Sequence, residues 1–418
     1  MRVAVALLAV LGTAATATAG VEVHGYAKVQ ASMVLFRDDD LGSLLAGSPA
    51  NDAQLDLRFD TDWRRSKWDL NIAAEFLAID GDLVRAAHSV PGDELAALVL
   101  GVPDPTDDTQ WFDLTYIFKN SGSSLVYGRF DRLSVGYTGN RFVARLGRQA
   151  LSWGDGLVFQ VFDLFNPFPP TVIDTDYKPG VDMLATQWLL SDGGDVQAVV
   201  VPRREGDGQP LAADQSTFAA KWLHLVGGSE IVAVGARHYG DDIVGAGAST
   251  NLGGGVLRGD ATYTDLAEGE GVFSFLVNLD HSWVLRGHNA YGFVEFFYNG
   301  FGVKDLDQGV DSLPPSLLAR LIRGELFNLG RDELAVGLQY QWTPLLSIEP
   351  TVIVNLDDGS SLLLFHLGFS WRENLRLDGG VQIGFGARGT EYGGVPVVSQ
   401  PVYVAPGTLV WFRVSRYF

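Results

Sequence analysis

Polar and apolar residues alternate along much of the chain with a period of two. Between residues 53 and 63, apolar side chains alternate with charged or amide side chains, so that Arg58 lies between Leu57 and Phe59. The same period recurs at 68–78, 255–264, 332–342, 345–356 and 375–386. Successive side chains of a strand point to opposite faces, so the pattern predicts strands with one apolar and one charged face.

Most of these strands are about ten residues long or longer, which is enough to cross a bilayer at a tilt, whereas strands of soluble sandwiches average about five or six residues. Eighteen strands are predicted, at residues 21–36, 53–63, 68–78, 125–137, 140–149, 181–190, 195–203, 215–225, 230–239, 243–252, 255–264, 272–283, 290–300, 332–342, 345–356, 361–371, 375–386 and 409–418. We therefore predict an all-β fold, a transmembrane antiparallel up-and-down β-barrel of about 18 strands, within a range of roughly 16–20.

Short connections alternate with long ones between the predicted strands, as in barrels with short periplasmic turns and long extracellular loops. The long connections are residues 37–52, 79–124, 150–180, 204–214, 301–331 and 387–408. Seven of the ten Trp lie near the short connections: Trp63, Trp68, Trp188, Trp222, Trp283, Trp342 and Trp371. An aromatic belt at one membrane interface accounts for that clustering.

Two segments inside long connections depart from the strand pattern. Residues 94–102 and 317–326 lack the alternation and carry Leu and Ala at helical spacing, which predicts short helices.

The first nineteen residues have the pattern of an export signal. A positive start at Arg2 precedes the apolar run Val3–Leu11, and Ala17-Thr18-Ala19 is an A-x-A-type cleavage site. The apolar run is too short for a spanning helix, which needs about 20 residues. We expect residues 1–19 to be a cleaved signal peptide and residues 20–418 to form one barrel domain.

Composition excludes several functions. With 30 Lys+Arg against 50 Asp+Glu, the formal charge is −20, which argues against nucleic acid as a partner. The chain has no Cys, so disulfides, thiolate metal sites and a Cys nucleophile are excluded. The seven His show no metal-ligand spacing, and no hydrolase elbow, phosphate-binding loop or zinc-protease motif is present. We predict no enzymatic activity, no metal and no cofactor.

Residues 150–180 form the most distinctive of the long connections. Gly154 and Gly156 permit tight bends, Asn166-Pro167 and Pro169-Pro170 stiffen the path, and several aromatic residues favour a packed rather than a mobile loop. The loop either folds into the lumen and narrows the pore, or packs over the barrel mouth and braces the wall. Candidate pore and constriction residues, in this loop and on inward strand positions, are Arg132, Arg145, Arg148, Asp155, Asp163, Lys178, Asp56, Arg58 and Glu75.

Several motifs resemble those of a known group of proteins. Gly147-Arg148-Gln149 and the runs Ser152–Gly156 and Asp163–Phe168 are similar to porin-like barrels of Gram-negative bacteria and, more distantly, to the alginate-export type. The hairpin turn Asn355–Ser360 resembles one in the same group, and the final strand ending in Phe418 resembles the terminal signature of outer-membrane barrels. The resemblance implies an exported channel in the bacterial outer membrane and leaves the solute open.

These observations predict passive diffusion of small hydrophilic solutes. Inward acidic and basic positions nearly balance, so only a weak cation preference is expected. Acidic clusters in the long connections, such as Asp38–Asp40 and Asp241-Asp242, are interpreted as solvated or as Ca²⁺ or Mg²⁺ bridges to lipopolysaccharide.

Two alternatives stay open: a sheath for a partner, such as a periplasmic multihaem cytochrome or an exported polymer, and a purely structural barrel. The expected surroundings are outer-membrane lipid and lipopolysaccharide, with a homotrimer or a periplasmic partner left undecided.

Overall fold

Strands form where the alternating pattern predicts them. The computed structural model describes residues 21–90, 99–103, 105–397 and 401–418, so the predicted signal peptide at 1–19 lies outside the described residues. The strands are β1 (Val21–Leu35), β2 (Ala50–Arg65), β3 (Trp68–Gly81), β4 (Thr115–Ser121), β5 (Ser124–Thr138), β6 (Phe142–Gln149), β7 (Val181–Leu189), β8 (Asp195–Arg204), β9 (Leu211–Val226), β10 (Ser229–His238), β11 (Asp241–Leu252), β12 (Gly255–Asp265), β13 (Val272–Leu285), β14 (His288–Tyr298), β15 (Asp332–Thr343), β16 (Leu346–Asn355), β17 (Ser361–Arg372), β18 (Leu375–Phe385), β19 (Val395–Val397), β20 (Val402–Val404) and β21 (Thr408–Tyr417).

Antiparallel pairing closes the sheet into a ring. Neighbours in sequence pair along the chain, β3 pairs with β5, β18 pairs with β21, and β21 pairs back onto β1. Eighteen strands, β1–β3, β5–β18 and β21, therefore form a closed antiparallel barrel, which confirms the predicted fold class. Closure leaves the ring without an unpaired edge.

One further strand in the sheet lies beside the ring. β4 pairs with residues 124–129 of β5. It uses the same edge of β5 that β6 occupies nearer the short turns. It fills the position above the end of β6, where the chain leaves the wall at Gln149. The sequence pattern did not predict this strand or the small hairpin of β19 and β20.

Helices are short and lie in the long connections. The helices that lie wholly within the described residues are α1 (Leu41–Ala46), α2 (Asp82–Ser89) and α3 (Pro315–Ile322), with a 3₁₀ turn at Val310–Ser312. The helix predicted at 317–326 is confirmed with shifted ends, whereas most of the one predicted at 94–102 lies outside the described residues. Within the described part of the chain, no helix is both long enough and apolar enough to span a bilayer.

Tight turns join strands at one end of the barrel. Gly253 and Gly254 connect β11 to β12 with φ of +57° and +92°, and Gly227 and Gly228 connect β9 to β10 with φ of +57° and +90°. Two-residue hairpin turns of type I′ need positive φ at both central positions, which glycine adopts without steric cost.

The two faces of the barrel differ in polarity. On β13, Val277 and Leu279 are exposed on the outer face, while Leu276 and Asn278 are buried on the inner face. The seven Trp predicted to form a belt near the short turns are all exposed. Inward positions around the ring carry buried charged groups, including Lys28 on β1 and Glu295 on β14.

Candidate functional site

Residues 150–180, which we call the inner segment, connect β6 to β7 without regular secondary structure. Glu295 of β14 accepts backbone N–H groups from Leu157 (2.6 Å, Oε2), Val158 (2.9 Å, Oε1) and Phe159 (2.7 Å, Oε1). Asp260 of β12 accepts the backbone N–H of Asp155 at 2.8 Å. Backbone amides without a partner in secondary structure are thus satisfied by carboxylates of the inner face.

Aromatic side chains of the inner segment cover apolar parts of the inner face. Trp153, Phe162 and Phe165 pack against a group of apolar residues on β7–β10, which includes Met183 and Val199. The Trp153 Nε1–H donates to Gln197 Oε1 at 2.8 Å. The apolar body of this indole is therefore buried and its polar atom is satisfied.

A second aromatic contact lies farther round the barrel. Phe159 stacks on Phe297 with ring centroids 4.9 Å apart, within a cluster formed by β13–β17. Phe159 is therefore attached to β14 in two ways: its backbone N–H donates to Glu295, and its ring stacks on Phe297.

The later part of the inner segment contacts β18, β21 and β1. Gln382 of β18 donates to the carbonyl oxygen of Thr171 at 2.7 Å. Lys28 Nζ lies 2.6 Å from Asp174 Oδ2 and 2.7 Å from Asp176 Oδ2, and Arg413 Nη1 lies 3.0 Å from Asp174 Oδ2. The segment is therefore anchored to strands on several sides of the ring.

Lys178 ties the beginning of the inner segment to its end. Its Nζ donates to the Leu151 carbonyl (2.6 Å), to Ser152 Oγ (2.9 Å) and to Asp163 Oδ2 (2.5 Å). Burial lowers the pKa of Lys178 and raises the pKa of Asp163, and each partner opposes the shift of the other. The two form a buried ion pair whose additional hydrogen bonds offset part of its desolvation.

An arginine pair on β2 and β5 continues this network. Arg58 contacts Asp60 at 2.9 Å and Asp131 at 2.7 Å, while Arg132 Nη1 contacts the same Asp131 oxygen at 2.6 Å. Arg132 Nη2 also donates to the Lys178 carbonyl at 2.5 Å. Asp131 Oδ1 accepts the backbone N–H of Gly180 at 2.9 Å, so this carboxylate links the wall to the end of the segment.

The candidates Asp56 and Glu75 lie on the same part of the wall and are already paired. Tyr26 donates to Asp56 Oδ2 at 3.0 Å, and Arg129 Nε contacts Glu75 Oε2 at 2.5 Å. They add polarity to the inner face beside the Arg58 network.

Arg145 and Arg148 are separated from that network and from each other. Arg145 contacts Asp69 at 2.5 Å on the inner face near the short turns. Arg148 is paired in register with Leu133, so its side chain lies on the outer face of the wall. There it contacts Asp182 and Asp107 at 2.8 Å each. Residues 105–114 of the preceding long connection cover this cluster, so Arg148 does not share the interior with the other candidates.

The structure thus brings together Arg58, Arg132, Asp163 and Lys178, and Asp155 joins the segment to the wall through its backbone. Sequence reasoning left Asp131 out of the candidate set because strict alternation directs it away from Arg132. A register shift between β3 and β5 lets Asp131 face the same network. Such a bulge has no period-two signature.

Helix α3 is fastened to the barrel at the long-connection end. Arg320 Nη2 lies 2.7 Å from Asp241 Oδ2, and Glu325 Oε1 lies 3.0 Å from His238 Nε2. Burial by itself raises the pKa of Glu325, but His238 and Arg323 beside it bring the pKa down to about 2. The Arg320–Asp241 ion pair and the contact between Glu325 and His238 hold α3 at this end.

A cavity of about 50 Å³ separates α3 from the inner segment, with Asp163, Thr262 and Arg320 among its lining residues. It has room for a few water molecules, since one water needs roughly 10–15 Å³ on this measure. Among the residues that the structure describes, no group of three or more His, Asp or Glu could hold a metal ion.

Comparison with solved structures finds proteins that share the barrel fold. Pseudomonas aeruginosa OccK5 (OpdH) has a TM-score of 0.52 at 8% identity, covering 96% of this chain and 98% of that chain. Acinetobacter baumannii OccAB4 has a TM-score of 0.52 at 9% identity, covering 96% and 99%. Acinetobacter baumannii OccAB2 has a TM-score of 0.50 at 10% identity, covering 95% and 98%.

No protein-family model matches the chain, and no curated protein matches it at a significant level. The similarity to these three structures, at 8–10% identity, therefore concerns the fold.

Proposed function

We propose that the chain is an outer-membrane channel for passive diffusion of small hydrophilic solutes. The observation that carries the proposal is the polarity of its strands, which are apolar on the outer face and charged on the inner face around a closed ring of eighteen. An apolar outer band fits hydrocarbon, and a charged interior needs water or ion pairing. Barrels of this strand number usually leave an aqueous channel.

The inner segment is the constriction in this proposal. Its contacts with β12, β14, β18, β21, β1 and β5 support a path across the interior rather than over the mouth. A partner threaded through the barrel would have to displace these contacts, which favours diffusion over the sheath function. Weak cation preference is part of this proposal, because several carboxylates of the interior are paired with Arg or Lys.

The remaining parts of the proposal follow from the same reasoning. Residues 1–19 serve as the cleaved signal peptide, and the lipid contacts are those of the outer membrane. The wall residues act by charge and size without chemical conversion of the solute, so the channel is not an enzyme.

Conductance of refolded residues 20–418 in a planar bilayer tests the proposal. Stable open steps and a small positive preference for K⁺ in a KCl gradient are expected. A folded barrel that stays silent would contradict diffusion and favour the sheath or the structural barrel.

Absence of Cys from the chain allows the constriction to be tested separately. Thr175 is exposed in the inner segment, so modification of Thr175→Cys with a charged thiol reagent is expected to reduce conductance. Asp207→Cys, on an exposed loop, is the matched control and is expected to conduct as before. Unchanged conductance of modified Thr175→Cys would remove the segment from the solute path.

A further inference from the structure

Two buried cations lie side by side on the inner face of β1 and β21. Lys28 is paired in register with Ser415, and Arg413 with Gln30, so the cations are diagonal neighbours on one face. The exposed fraction of the side chain is 2% for Lys28 and 8% for Arg413. Buried cations need partners, because an unpaired charge in a low-dielectric site costs several kcal/mol.

Their partners come from the inner segment. Asp174 Oδ2 lies 2.6 Å from Lys28 and 3.0 Å from Arg413, and Asp176 Oδ2 lies 2.7 Å from Lys28. Within the described part of the chain, these contacts are the salt bridges of the two cations. Tyr417 of β21 donates to Asp176 at 2.7 Å and fixes its position.

The carboxylates are the more exposed partners of this cluster. Asp174 and Asp176 are 32% and 31% exposed, against 2% for Lys28. Burial by itself raises the pKa of Asp176, but the hydrogen bond and charge of Lys28 outweigh it and hold the pKa below its usual value. A solute passing this part of the interior therefore meets two carboxylates with the cations behind them.

We propose that Asp174 and Asp176 determine the charge preference of the channel by covering Lys28 and Arg413. The inference rests on the proposed function and assigns its selectivity to an arm of the inner segment. Removal of the two carboxylates makes the local charge more positive by two, beside the wall carboxylates Asp56 and Asp378 that pair in register with Lys28 and Arg413. Charges within a Debye length of about 10 Å at 0.1 M salt act on passing ions with energies of a few kT.

The test compares reversal potentials of single channels in a KCl gradient around 0.1 M. D174N/D176N is expected to move the ratio of K⁺ to Cl⁻ permeability toward Cl⁻ by about threefold or more. K28Q/R413Q, which leaves the carboxylates unpaired, is expected to move it toward K⁺. The quadruple variant, with all four charges removed, is expected to return near the wild-type ratio.

Glu205→Gln with Asp207→Asn is the matched control, since it removes two carboxylates from an exposed loop. Its permeability ratio is expected to stay at the wild-type value. At about 1 M KCl, where the Debye length falls to about 3 Å, the difference between D174N/D176N and wild type should shrink. A purely structural role of the two Asp would not produce this salt dependence.

Folding of each variant is checked by the heat-dependent mobility of the barrel on SDS gels. If D174N/D176N fails to fold, D176N alone keeps the Asp174 bridge and is expected to show a smaller shift in the same direction. An unchanged ratio in a folded, conducting variant overturns the inference and leaves the channel function intact. A folded wild-type barrel without conductance overturns the channel function itself.

Discussion

Glu295 Oε1 accepts the backbone N–H of Phe159 at 2.7 Å and so joins strand β14 to the inner segment across 136 residues of sequence. The same carboxylate also accepts the N–H groups of Leu157 and Val158. Both of its oxygens are engaged, because Asn278 Nδ2 donates to Oε2 at 3.0 Å. The position of the inner segment therefore depends on this carboxylate.

Glu295→Gln is expected to loosen the inner segment. A glutamine amide offers one acceptor oxygen and directs its NH₂ group at a donor, so at least one buried N–H loses its partner at a cost of about 1–3 kcal/mol. Single-channel recordings should show more frequent transitions or a higher mean conductance. Glu270→Gln, on an exposed loop, is the control, and equally quiet recordings of both variants would contradict the expectation.

Trp153→Ala is expected to destabilise the barrel by about 3–5 kcal/mol, because a buried indole is removed from the interior. Trp153→Phe keeps a ring but loses the hydrogen bond to Gln197, with an expected cost of about 1 kcal/mol from that bond. Denaturant titration in liposomes, followed by gel mobility, gives both values. Trp342→Ala, at an exposed belt position, should cost less than Trp153→Ala, and equal losses would argue against burial as the cause.

Arg145→Gln and Arg148→Gln are expected to differ in the property they change. Arg145→Gln leaves Asp69 unpaired on the inner face and should increase the preference for K⁺. Arg148→Gln leaves Asp182 and Asp107 unpaired on the other face, which should lower stability by about 3–5 kcal/mol without changing selectivity. Reversal potentials and denaturant midpoints measure the two effects, and altered selectivity in Arg148→Gln would contradict its placement.

The attachment of α3 is expected to weaken only in acid. The pKa of Glu325 is lowered to about 2, so its contribution to stability is fully present above its ordinary value near 4.5. That contribution is lost as the pH falls from about 4.5 toward 2. Brief closures or openings in wild-type recordings should therefore become more frequent as the pH falls below about 4.5.

Glu325→Gln separates this group from other acids of the barrel. At pH 7 the variant should show the transitions that wild type shows only in acid, because the contact between residue 325 and His238 is already weakened. The difference between the two proteins should disappear near pH 2. A difference that is the same at every pH would show that the charge of Glu325 is not responsible.

The ring of strands could be predicted because each strand meets apolar surroundings on one face and polar ones on the other. The ends were less predictable: β2 extends to Ala50–Arg65 where residues 53–63 were predicted, and β9 to Leu211–Val226 where 215–225 were predicted. Strand ends that project from the apolar band need not alternate, so the periodic signal fades before the hydrogen bonding does. β4 was also missed, because it lies outside the ring and its residues need not alternate.

The candidate site was predicted in its residue types and only partly in its arrangement. Arg58, Arg132, Asp163 and Lys178 were selected and do form one network with Asp131. Arg148 was selected by its neighbourhood in sequence, but Gly147, with φ of +120°, precedes it and register places its side chain on the other face.

The sequence by itself determined the strands, their number and the polarity of each face, because a period of two is a local property that the solvent on each side of the wall selects. Tertiary structure alone decided which charges meet. Lys28 and Asp174 are 146 residues apart, and their contact depends on the path of the inner segment through the closed ring. That path is fixed by hydrogen bonds to Glu295 and Asp260 and by packing of Trp153, none of which has a local signature in the chain.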